Sequence, residues 1–117
     1  MVTEQPEGEW ANEVRLVGRV SADPDEREMP SGDTVVLFRL VVPRDAPTTA
    51  GSHGASLDTI DIACWAGRAK TSGRRLRAGD HAEVIGALRR RFFRAGGAAA
   101  SRYQVDARAV RRTHRAG

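Results

Sequence analysis

The sequence predicts an all-β protein: a small barrel of five strands, with one short helical connection between the third and the fourth. Two observations carry that prediction. Apolar and polar residues alternate at period two in five stretches, and Pro, Gly and Asx clusters bound those stretches. A chain of 117 residues holds one hydrophobic core and is too short for two domains.

Taken in order, residues 1–11 contain Pro6, Gly8 and the acids Glu4, Glu7 and Glu9 without periodicity, which predicts a mobile acidic leader. Trp10 is expected to cap a neighbouring apolar patch. Between Glu13 and Ser21, Val14, Leu16, Gly18 and Val20 alternate with Glu13, Arg15, Val17 and Arg19, a first strand with one buried face that Asp23-Pro24 ends. Met29-Pro30-Ser31-Gly32-Asp33 is a turn. The second strand, Thr34 to Pro43, is apolar on both faces and therefore central. Arg44 to Ser56 reads as a long loop in which His53 is solvated. The third strand, Leu57 to Trp65, turns Ile60, Ile62 and Cys64 inward and leaves Trp65 on a polar face. Ala66 to Arg77 suits a short helix, weakened by Gly73. The fourth strand, Asp80 to Arg94, is the longest, with Ala82, Val84, Gly86 and Leu88 inward. After a Gly/Ala turn, Arg102 to Val110 makes the fifth strand, with Tyr103, Val105, Ala107 and Ala109 on one face. Residues 111–117 are expected to be a frayed basic end, so the domain spans 12–110.

Charge is segregated along the chain. Residues 1–65 carry five basic and twelve acidic side chains, and residues 66–117 carry fourteen and three, within a net charge of +4. Such a field favours a polyanionic partner through release of condensed counterions; an anionic membrane surface or a self-complementary assembly would also suit it. Lys70 is the only lysine, which together with abundant alanine and glycine fits a GC-rich genome. Cys64 is the only cysteine and has no neighbouring ligand types, so neither a disulfide nor a metal site is expected. No apolar run reaches the length of a membrane span, and the N-terminus is acidic where a signal peptide would be basic and then apolar. The expectation is a soluble cytoplasmic protein with no membrane partner.

The stretch Gly86 to Arg94 interleaves cations and rings. On a strand, Arg89, Arg91 and Phe93 share one face while Leu88, Arg90 and Phe92 share the other. Guanidinium groups pair with phosphates and an exposed ring stacks on an unpaired base, so the first face suits single-stranded nucleic acid. The same residues are compatible with an ordinary solvated arginine face and core phenylalanines. Trp65, likewise, is either a structural cover or a second stacking platform.

Five strands with a helix between the third and the fourth is the layout of an OB-fold, a Greek-key barrel that binds oligonucleotides. The residues are similar to a known family as well. Asn12 to Val20, Asp23-Pro24 and Pro30-Ser31-Gly32 resemble the opening of bacterial single-stranded DNA-binding proteins. The likeness continues through Phe38 to Arg44, Ile60-Asp61 with Trp65, Arg77-Ala78-Gly79-Asp80, Gly86 to Arg89, and Arg102-Tyr103.

That resemblance implies non-catalytic binding of single-stranded DNA in replication, recombination or repair, by a homotetramer of OB-folds whose aromatic residues stack on bases. By position, Trp65 and Phe93 fall where the family has stacking rings, and Arg39, Arg89, Arg91, Arg94 and Arg102 complete the candidate binding set. Thr59 stands where some members carry another aromatic, and the Arg44 to Ser56 loop lacks a tryptophan found in some, which shifts the expected weight toward arginine. The family's acidic-tipped tail has no counterpart in Thr113 to Gly117, so recruitment of replication and repair proteins is not expected, as in a short accessory paralogue. A homo-oligomer is expected independently, from outward Val35, Leu37 and Val41 and from a first strand paired on one side only.

Enzyme chemistry has no foothold. Lys70-Thr71 lacks the glycine frame of a phosphate loop, the three histidines are scattered, and no serine elbow occurs, so neither catalysis nor a cofactor is expected. Two rival readings remain at this stage: an OB module whose basic face meets an acidic protein, and an RNA-binding OB domain.

Overall fold

The computed structural model describes residues 8–44 and 56–117. Most of the expected leader, and the expected long loop with His53, lie outside the described residues. The elements are β1 (Val14–Val20), β2 (Asp25–Glu28), β3 (Thr34–Pro43), β4 (Leu57–Cys64), α1 (Gly67–Arg74), β5 (His81–Ala95) and β6 (Ala98–His114). β1, β5, β6, β4 and β3 follow one another round a sheet that closes where β3 pairs back on β1 at Arg19↔Val41 and Val20↔Leu40. With α1 between β4 and β5, this is the five-stranded OB-fold barrel that the alternation predicts. All contacts around it are antiparallel except β4 with β6, which meet in parallel at Ile62↔Val105 and Ala63↔Asp106.

The barrel forms because the inward residues of every strand converge. Val20, Val36, Phe38, Leu40, Ile62, Cys64, Ala82, Val84, Val105 and Val110 make one cluster, which Ala69 and Leu76 close from the helix side. Burying each large aliphatic side chain there contributes about 1.5–3 kcal/mol. Gly73, which helix propensity alone marks as a weakness, is what lets α1 sit down: a Cβ there would lie 3.1 Å from Cys64 Sγ. The Arg77-Ala78-Gly79-Asp80 segment is a turn locked by Asp80, whose buried carboxylate accepts the Arg77 and Ala116 backbone N–H groups at 2.8 Å each. Asp23 accepts the Ala78 N–H at 2.8 Å, and so ties the end of the first strand to the same turn.

Five features depart from the sequence expectation. β2, with all four residues exposed, pairs with β3 from Asp25↔Leu37 to Glu28↔Thr34; its Asp-Glu-Arg-Glu sequence has no apolar alternation, so only backbone pairing reveals it. Val35 is not outward but fully buried, and β1 is paired on both sides, along β5 and at its end with β3. Neither can serve the assembly argument, although Leu37 and Val41 remain half-exposed. The fifth predicted strand runs on to His114 instead of fraying at Arg111, because Ala116 is anchored on Asp80 and Arg112 reaches the same carboxylate at 3.5 Å. A register shift between Ile85 and Gly86 moves the inward position from Ala109 to Val110.

Candidate nucleic-acid interface

Past the bulge, β5 and β6 leave the barrel as a two-stranded hairpin, paired without interruption from Gly86↔Ala107 to Ala95↔Ala98. Residues directly opposite in an antiparallel pair point to the same face. One face therefore carries Ala87 with Asp106, Arg89 with Gln104, Arg91 with Arg102 and Phe93 with Ala100; the other carries Leu88 with Val105, Arg90 with Tyr103, Phe92 with Ser101 and Arg94 with Ala99. The first face is continued by β4, which lies beside β6 at Ala63↔Asp106, and by β3, which pairs Arg39 with Asp61.

The structure brings six of the seven candidate residues onto this strip, and it does so around two carboxylates. Asp106, whose side chain is 19% exposed, accepts hydrogen bonds from Trp65 Nε1 at 3.2 Å, Gln104 Nε2 at 3.0 Å, Arg91 Nη2 at 3.1 Å and Arg89 Nε at 3.3 Å. The Arg91 guanidinium also lies over the Trp65 ring, 5.0 Å from its centroid. Asp61 takes Arg39 Nε at 3.1 Å and Arg102 Nη1 at 3.6 Å, and Arg102 in turn stands 5.7 Å over the Phe93 ring. Trp65 and Phe93 are therefore not equivalent. Phe93 is 42% exposed and met by one cation, whereas Trp65 is half-buried, hydrogen-bonded and covered on one face by Arg91.

Arg94 is not brought to the strip. Strand alternation puts it on the opposite face, where its guanidinium bonds the Gly97 carbonyl at 3.3 Å at the hairpin tip. That face has a second unit of its own: Arg90 lies 4.8 Å from the Phe92 centroid and 5.8 Å from that of Tyr103, with the rings 75% and 59% exposed.

Asp106, Gln104 and Asp61 are the site residues that the sequence reading misses. A signal exists for Asp106, the only acid between Glu83 and Gly117 among nine arginines. Its charge is also felt inside the barrel: burial first, and Asp106 second, push the Cys64 thiol up to about 12, so this cysteine is not a nucleophile. Elsewhere on the barrel, Glu83 is held below the ordinary carboxylate range by Arg15 and then Arg111. Among the described residues no three His, Cys, Asp or Glu side chains gather as a metal site, and no helix is long and apolar enough to cross a membrane.

Known proteins share this fold and part of this sequence. The chain is similar to the single-stranded DNA-binding protein of Bacillus cereus, 38% identical over 82 residues that cover 70% of this chain and 47% of that protein. Single-stranded DNA-binding protein A of Bacillus subtilis is 36% identical over 82 residues, 70% of this chain and 46% of its own. This chain thus spans about half the length of these curated relatives. Among solved structures, that titled "Plasmodium falciparum SSB complex with ssDNA" superposes with a TM-score of 0.73 at 18% identity, covering 91% of this chain and 96% of that one, which shows the shared fold. The model of the single-strand binding protein family matches residues 11–113, and the chain belongs to that family.

Proposed function

We propose that this chain binds single-stranded DNA without sequence preference, as a non-catalytic coat in replication, recombination or repair, in the cytoplasm. The observation that supports it most is the strip itself: four guanidinium groups and two aromatic rings on one continuous surface of β3, β4, β5 and β6. Phosphates need spaced cations, and unpaired bases need ring faces, and here the two alternate. The relatives are named for the same ligand, which adds to the reading. We further propose a homo-oligomer, most simply a tetramer, in which outward Val17, Leu37 and Val41 meet a second copy.

The test is a fluorescence titration with single-stranded DNA, single-stranded RNA and duplex of equal length at several salt concentrations. The reading expects tight, salt-dependent binding of the unstructured DNA and weak binding of duplex. Preference for duplex, or no binding at low salt, overturns it; equal or better binding of RNA moves the assignment to an RNA-binding OB domain.

A further inference from the structure

We propose that Asp106 and Asp61 set the affinity of the strip: in the unbound protein each occupies the pair of guanidinium groups that a phosphate would take, and a strand binds by displacing them. The inference rests on the functional reading above. It starts from the hairpin register. Arg91 and Arg102 are direct partners across β5 and β6, and two like charges at that spacing repel. The fold relieves the repulsion by drawing the side chains apart, Arg91 toward Asp106 and Arg102 toward Asp61. Arg89 and Arg39 complete the two clusters, so each carboxylate neutralises part of two cations.

These contacts have the geometry of loose pairs. Arg74 and Glu26, beside the helix and away from the strip, form the two-pronged fork that holds a guanidinium firmly, with Nε and Nη2 each on its own oxygen at 2.9 and 3.0 Å. Among the described residues no guanidinium on the strip is forked. Arg91 offers one nitrogen to both oxygens of Asp106 at 3.1 and 3.3 Å, and its buried Nε has no acceptor among the described residues. Among the described residues, Arg89 and Arg102 each make a single ionic contact, at 3.3 and 3.6 Å. A phosphate presents several oxygens with the spacing of a carboxylate, so it can take over these donors and also reach the unused one. Asp106 would then remain as acceptor for Trp65 and Gln104, which keeps the ring oriented while the cations change partner.

The measurement is the salt dependence of single-stranded DNA affinity for wild type, Asp106→Asn and Asp61→Asn, with melting temperature and mass recorded for each. Asparagine keeps an oxygen for Trp65 and removes the charge. Each phosphate contact on a single strand contributes about 0.7 to the slope of log affinity against log salt, and because the strand also reaches Arg89 and Arg91 in wild type once Asp106 is displaced, D106N keeps the wild-type slope to within about 0.7. D106N binds roughly 2- to 30-fold tighter, the equivalent of two surface ion pairs that no longer have to be opened. Its melting temperature falls, because the arginines now face one another unrelieved. D61N, which leaves Trp65 untouched, gives the same pattern through Arg39 and Arg102 and carries the test should D106N not fold. Tighter binding at the wild-type slope with lower thermal stability supports the proposal. Unchanged or weaker binding by the folded variants overturns it, since a carboxylate that only braced the strip would lower stability and affinity together; a slope steeper by about 1.4 also overturns it, since wild type would then never release Arg89 and Arg91 to phosphate. Failure of wild type and both variants to bind at the low-salt end overturns the functional reading itself.

Discussion

Gly86→Ala is the substitution that couples the barrel most directly to the binding strip. Gly86 sits at the bulge where β5 stops lining the barrel and becomes the hairpin, paired with Val14 on one side and Ala107 on the other. Its φ is not in the left-handed region, so the constraint is steric and not torsional. A methyl group there would lie 2.1 Å from the Asp106 carbonyl oxygen, 2.9 Å from its carbon and 3.0 Å from Ala107 Cα, where ordinary contact begins at 3.4 Å. All three obstacles are backbone, so no side chain can swing aside and β6 itself must move by more than 1 Å. Overpacking of this kind costs about 1–3 kcal/mol, and the absence of any flexible neighbour places it at the upper end. Alanine recovers about 0.5–1 kcal/mol by restricting the unfolded chain, which leaves a net loss of about 2 kcal/mol. For a domain of this size that corresponds to a fall in melting temperature of roughly 6–12 °C by far-ultraviolet circular dichroism. Because the displaced carbonyl belongs to Asp106, the Trp65 near-ultraviolet signal changes as well. A variant that melts within 2 °C of wild type with an unaltered tryptophan signal would refute the close-approach reasoning.

Other outcomes follow from the same structure. Phe93→Ala weakens single-strand binding by about 1–3 kcal/mol with little change in melting temperature, whereas Trp65→Ala lowers both, since Trp65 is hydrogen-bonded and packed under Arg91; equal melting behaviour of the two variants would contradict this difference. Asp80 is held below its ordinary value of 3.8 by the Ala116 and Arg77 backbone N–H groups, with help from Arg112. Its contribution to stability is therefore complete above about pH 4 and is lost as pH falls through the depressed value, so thermal melts should show an acid limb there that Asp80→Asn flattens. Glu83, held low by Arg15 and Arg111, adds to the same limb with the same sign. Light scattering should give four times the 12.7 kDa of one chain, and a monomer at micromolar concentration would remove the proposed assembly.

Period-two alternation was enough to place β1, β3, β4 and β5, because an inward side chain must be apolar and its neighbour in sequence must then face out. The same rule separates Arg89, Arg91 and Phe93 from Arg90 and Phe92, and the charge asymmetry pointed to the basic half of the chain before any contact was visible. β2 escaped it because a strand exposed on every residue needs no apolar pattern, only the free edge of β3 to pair with. Val35 read as outward because alternation distinguishes two faces of a strand and is silent on whether the second face is covered. The extension of β6 to His114 depends on Asp80, more than thirty residues distant, and the shift from Ala109 to Val110 depends on a bulge that leaves Arg108 without a partner on β5. Above all, the partners of the arginines were not legible. Asp106 meets Arg91 across the hairpin and Trp65 across a parallel contact two residues long, and Asp61 meets Arg102 from the neighbouring strand. A sequence shows how many charges a face carries, but which of them are already neutralised is a matter of strand register, and register is set by the closure of the whole barrel.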